Sequence, residues 1–172
     1  NAPLPDGRPE HDLRATQSTS LVAANGDLAH NQLRYLPDDV SNHVACDSVE
    51  NVNEFPVKNL HCLPQGSKPA EWQRHLYGKL HLGFLLDRPF LNHLVRLGRS
   101  CGAGILHSHW GDWACRDAIA ARRLGVAHVV TFYGKDVNFL PQHEYWREQY
   151  RGLFAEVDLI LCEGPHMANC LV

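Results

Sequence analysis

The sequence predicts an α/β domain built on a mostly parallel sheet, and three observations carry that expectation. Three continuous apolar runs, 103–106, 126–132 and 159–162, lack the polar alternation of a half-solvated strand, as strands buried on both faces do. Helical spacing fills the chain between them. The run centres Ile105, Val129 and Ile160 stand 24 and 31 residues apart, the size of a right-handed crossover unit.

The elements follow in chain order. Residues 1–26 hold Pro3, Pro5 and Pro9 among polar residues without clear periodicity, and read as a loosely ordered leader before a domain spanning 27–172. From Asp27, Ala29, Leu33 and Leu36 recur at helical spacing until Pro37 ends the run. Two short apolar runs, 43–46 and 57–63, read as strands. Over 71–98 the spacing turns helical again, with Leu76, Leu80 and Phe84 on one stripe and Leu91, Leu94 and Leu97 on another; Pro89 between them predicts a kink or a split.

After the first clear strand, the Ala-rich run 111–124 carries Arg122 and Arg123 in its last turn and Gly125 just beyond, a helix with its C-cap. The β-branched run 126–132 stops at Tyr133-Gly134. Trp146, Tyr150, Leu153, Phe154 and Val157 then recur at i, i+4, i+7, i+8 and i+11, an amphipathic helix. The last strand, 159–162, leads into Gly164-Pro165 and a helix with Met167 and Leu171 four apart.

Composition narrows the classes of function. With 172 residues, 44% hydrophobic and 20% charged, this is ordinary globular material for about one domain. The longest stretch without Asp, Glu, Lys or Arg is 12 residues, too short for a spanning helix. A formal charge of −3 without blocks of like sign gives no pull on a polyanion, so nucleic acid is not an expected partner. Six cysteines never form a CxxC pair, which disfavours a zinc ribbon or disulfide scaffold and fits reduced thiols in a cytoplasmic protein. The absence of an initiator Met suggests a fragment or processed piece.

In an open parallel sheet, ligands bind beyond the carboxyl ends of the strands. The polar residues there are His107-Ser108-His109-Trp110-Gly111, Tyr133-Gly134-Lys135-Asp136 and Glu163-Gly164. If the first strand runs through both histidines, they share a face with Ser108 opposite, and the pair can hold a metal or touch a ligand. The plainer reading is a histidine bonded within the core. Gly111 lets backbone approach an anion at a helix N-terminus, or satisfies a turn. Lys135 and Asp136 suit a phosphate contact and a sugar-hydroxyl acceptor, or a solvated loop; Glu163 suits a hydroxyl or caps the next helix. Trp110 and Trp113 are packing residues that could also stack on a sugar ring.

Residues 105–137, ILHSHWGDWACRDAIAARRLGVAHVVTFYGKDV, and 150–172, YRGLFAEVDLILCEGPHMANCLV, resemble the N-terminal domain of family 4 glycosyltransferases. Residues 24–37, ANGDLAHNQLRYLP, resemble an early acceptor-side helix of that family more loosely. The resemblance implies a Rossmann-like three-layer sandwich, the N-terminal half of a GT-B fold, with a C-terminal donor domain to follow. It implies transfer of a sugar from a nucleotide diphosphate sugar to a glycan or lipid-linked acceptor, with retention, without metal and with no cofactor beyond the donor itself. His109 is the catalytic residue carried over, orienting the donor and stabilising developing charge. His107, Gly111, Gly134, Lys135, Asp136 and Glu163 are the substrate-binding candidates, and association with the inner face of a membrane is a further expectation. Tyr133 stands where the pattern usually has His, and the donor-gripping glutamates of the second domain have no counterpart, so the piece alone is expected to be inactive. Two rival classes stay open: a metal-dependent hydrolase using His107 and His109, and a non-catalytic Rossmann-like binding module.

Overall fold

The computed structural model describes residues 19–23, 36, 40–46, 58–64, 70–79 and 84–171. Their elements run β1 (Thr19–Ala23), β2 (Ser41–Cys46), β3 (Leu60–Cys62), α1 (Glu71–Lys79), α2 (Phe84–Cys101), β4 (Ile105–His109), α3 (Gly111–Leu124), β5 (Ala127–Phe132), α4 (Lys135–Asn138), a 3-10 turn (Leu140–Gln142), α5 (Glu144–Glu156), β6 (Leu159–Cys162) and α6 (Gly164–Leu171). The six strands form one sheet in the order β3-β2-β1-β4-β5-β6, and every pairing is parallel. The α/β class with a parallel, Rossmann-like sheet therefore holds. Strand order reverses direction between β1 and β4, and the crevice outside the carboxyl ends at that point is where such sheets bind ligands.

The reading of 1–26 as a loosely ordered leader is corrected over Thr19–Ala23, which form β1, a central strand paired with both β2 and β4. Five residues with one Leu-Val pair give little local signal; two neighbouring strands supply the pairing. The helix expected over 27–36 lies, apart from the exposed Leu36 in a bend, outside the described residues. The strand expected over 57–63 is the three-residue β3. Pro89 does not mark the division of the 71–98 segment: α1 ends at Lys79, and Pro89 lies inside α2, where it forgoes one ladder hydrogen bond.

β4 begins two residues later than the apolar run and continues through both histidines. The register places Ser108 beside Val130, and Val130 beside Ile160, so these residues line one face of the sheet. That face carries the core. Leu94 and Leu97 of α2 and Ala120 and Ala121 of α3 close over Ala45 and Leu106, while Ala114, Val130, Phe132, Tyr150 and Leu153 form the adjoining cluster. Each large side chain buried completely, such as Leu94 or Phe132, contributes about 1.5–3 kcal/mol. Gly125 closes α3 with its N–H on Ala121 O at 2.9 Å, as the arginine-glycine ending predicts. Among the described residues, no helix is long and apolar enough to cross a membrane.

Candidate functional site

The pleat of β4 divides its polar residues between two environments. Ser108 points into the core face, where its hydroxyl donates to Asp117 Oδ2 at 3.0 Å and lies 3.0 Å from His128 Nε2. Asp117 also accepts from Arg116 Nε at 2.9 Å, and the Arg116 guanidinium rests over the rings of Phe90 and Trp113. This network is buried and belongs to the core: a fully enclosed polar group is retained when its partners are supplied within the fold. His107 and His109 take the other face, as period-2 alternation requires. Their rings stack with centroids 4.5 Å apart.

Each histidine is held by the tip of β5. His107 Nε2 bonds Thr131 Oγ1 at 2.7 Å, and His109 Nδ1 bonds the Tyr133 hydroxyl. Tyr133 also stacks on His109 and packs against Trp110, with centroid separations of 5.8 and 4.9 Å. A phenol donates more strongly than it accepts and an unprotonated imidazole nitrogen accepts strongly, so this pairing favours donation from Tyr133 to Nδ1 and the tautomer with the His109 proton on Nε2. Nε2 bonds no protein group among the described residues. Burial depresses the basicity of both rings, His107 to about 4 and His109 to about 3, with the neighbouring His107 adding to the effect on His109. Both are neutral at pH 7.

Gly111 is required by close approach. A Cβ there would lie 2.2 Å from Phe132 Cε1 and 2.9 Å from the Tyr150 hydroxyl, so no larger residue fits between α3 and the end of β5. Its N–H donates to Asp136 Oδ2 at 2.9 Å. The other carboxylate oxygen of Asp136 accepts the N–H groups of Tyr133 at 3.0 Å and Gly134 at 2.9 Å. Gly134 adopts φ 136°, a conformation side chains rarely tolerate, which turns the chain back so that Asp136 can reach its own loop. Asp136 is 0% exposed. Its first duty is thus to clip the β5 loop to the start of α3. The first N–H of α3, that of Gly111, is thereby engaged within the fold.

A cleft of about 200 Å³ opens on this edge, lined by His109, Trp110, Asp112, Trp113, Lys135, Asp136 and Leu140. The structure therefore brings His109, Lys135 and Asp136 to one cleft, with Gly111 and Gly134 shaping the backbone beneath. His107 stands behind His109. Glu163, at the end of β6, is exposed and does not line the cleft, because β5 separates its strand from β4. Sequence reasoning missed Asp112 and Leu140, and gave Trp110 and Trp113 only a minor place. Asp112 had a readable signal, an acidic residue in the first turn of a helix that follows a polar strand end. Burial raises its carboxyl above the usual range, offset in part by the backbone N–H groups of Asp112 and Trp113. Lys135 is exposed at the rim. Among the described residues, no three His, Cys, Asp or Glu side chains converge to hold a metal.

No family model matches the chain, and no curated protein matches it. Among solved structures, it is similar to a UGT transferase from Siraitia grosvenorii in complex with UDP, at 18% identity and a TM-score of 0.42. The alignment covers 67% of this chain and 28% of that one, so the chain spans well under half the length of this neighbour. A likeness at that identity and score speaks to neither activity nor ligand.

Proposed function

We propose that this chain is the acceptor-side half of a glycosyltransferase, which moves a sugar from a nucleotide diphosphate sugar to a glycan or lipid-linked acceptor with retention at the anomeric carbon. The observation that carries the reading is His109: 3% exposed, neutral, fixed by Tyr133, and lining a cleft at the carboxyl ends of parallel strands beside the point where strand order reverses. The motif resemblance of 105–137 and 150–172 supplies the reaction class.

In this reading the bond from the anomeric carbon to the diphosphate oxygen breaks and a bond to the acceptor oxygen forms. The acceptor's proton leaves with the diphosphate. A neutral imidazole with its proton on Nε2 offers a fixed dipole to an oxygen of the donor sugar, and such preorganised donors matter most where water is excluded. Trp110 and Trp113 give apolar walls against which a sugar ring can lie, Asp112 an oxygen acceptor for a hydroxyl, and Lys135 a positive charge at the rim. The residues that grip the donor's ribose and sugar belong to a second domain. The enzyme uses no metal and no cofactor other than its donor, and works in the cytoplasm.

The test is nucleotide release. The 172-residue chain joined to the coding sequence that continues past Val172 should liberate nucleoside diphosphate from an activated sugar when acceptor is present, and the chain alone should not. A continuation encoding no further α/β domain, or a joined protein that hydrolyses or transfers no activated sugar, overturns the reading.

A further inference from the structure

At the opposite edge of the sheet, Cys46 and Cys62 are direct register partners on the adjacent strands β2 and β3. Their sulfurs lie 3.4 Å apart. We infer that Cys46 and Cys62 form a dithiol site that is modified covalently, converting to an intramolecular disulfide on exposure to a small-molecule disulfide. The inference is independent of the sugar-transfer reading.

Geometry permits the bond without moving the backbone far. Neighbouring strands run about 4.8 Å apart, inside the roughly 4.4–6.8 Å that Cα atoms of a disulfide span. The sulfurs need to approach from 3.4 Å to about 2.05 Å, a change that side-chain rotation supplies. The two cysteines also differ in access, since Cys62 is exposed and Cys46 is buried. That asymmetry orders the steps. The Cys62 thiolate attacks one sulfur of the external disulfide, forming a mixed disulfide and expelling one small thiol. Cys46, already beside it, then attacks the Cys62 sulfur as its thiolate and expels the second. The protein gives up two electrons and two protons overall, and the external disulfide is reduced to two thiols.

The site also has a structural consequence. β3 is a three-residue strand at the outer end of the sheet, paired on one side by β2. A Cys46–Cys62 bond would fasten that short strand to its neighbour and close the chain between them into a ring.

The experiment treats the reduced 172-residue protein with oxidised glutathione at pH 8, blocks remaining thiols with iodoacetamide, and maps the peptides by mass. Of the six cysteines, the pair Cys46 and Cys62 should be recovered linked to each other, with none of the other four joined to a second cysteine of the chain, and dithiothreitol should restore all six. Cys46→Ser should retain glutathione on Cys62, because nothing adjacent can displace it. Cys62→Ser, a change at an exposed position, should leave position 46 alkylatable only after unfolding. A stable glutathione adduct on Cys62 of the wild-type protein, a Cys46 or Cys62 linkage to any of the other four cysteines, or no loss of thiols overturns the inference. The wild-type map decides the matter even if the buried Cys46→Ser variant fails to fold.

Discussion

Asp136 Oδ2 accepts the N–H of Gly111 at 2.9 Å, joining the loop after β5 to the first residue of α3 across a gap of 25 positions in the chain. One buried carboxylate thereby fixes the relative placement of two of the walls of the cleft. His109 approaches from the end of β4, the strand that leads into α3.

Asp136→Ala should therefore destabilise the protein by about 3 kcal/mol, since three backbone N–H groups lose a charged acceptor at once. Urea unfolding followed by circular dichroism measures this. A midpoint unchanged from wild type would mean that the loop is held by something else.

Gly111→Ala should cost about 1–3 kcal/mol through overpacking, because the new methyl meets the Phe132 ring. Combining it with Phe132→Leu should recover part of the loss in a double-mutant cycle. Strict additivity of the two effects would show that the contact is not the cause.

Tyr133→Phe should leave the fold intact and remove the proton donor to His109 Nδ1. In 15N-labelled protein the wild-type His109 imidazole should carry its proton on Nε2, and the variant should show a mixture of tautomers. In the joined enzyme, turnover should fall about tenfold, which corresponds to about 1.4 kcal/mol, and His109→Ala should lower it further. A variant ring with the wild-type nitrogen shifts would remove Tyr133 from this role.

Stability should fall steeply in mild acid. Burial holds His109 at about 3 and His107 and His128 at about 4, against 6.5 for an unperturbed ring. Below pH 6.5 the unfolded chain takes up protons that the folded chain refuses, so stability present above 6.5 is lost as pH descends toward 4 to 3. Three such rings give a slope of up to about 4 kcal/mol per pH unit in the middle of that range. Urea midpoints at pH 7, 6 and 5 measure it, and a flat profile would mean that these rings protonate in place.

The second half of the chain was legible because its signals are local. The apolar run 159–162 is β6 residue for residue, and the Arg122-Arg123-Gly125 ending marks the close of α3. β1 was not legible, since Thr19–Ala23 become a central strand only through partners 22 and more than 80 positions away. The site divides in the same manner. His109 could be found because strand alternation and a strand end are visible in sequence. The bonds from Asp136 to Gly111 and from Tyr133 to His109 are tertiary, and spacing along the chain says nothing of them. Glu163 was a reasonable guess from its position after a strand, but it is exposed at the end of the edge strand β6 and does not line the cleft.

The two-sided use of β4 also limits how this region can change in evolution. Ser108 serves the interior, His109 the cleft and His107 the same face behind it, so inserting or deleting one residue within the strand would exchange their destinations. Imidazoles would be driven among the packed side chains of α3 and a hydroxyl left facing the cleft. Substitutions can be sampled here one at a time, but length changes should be purged from β4 and tolerated only in the loops on either side.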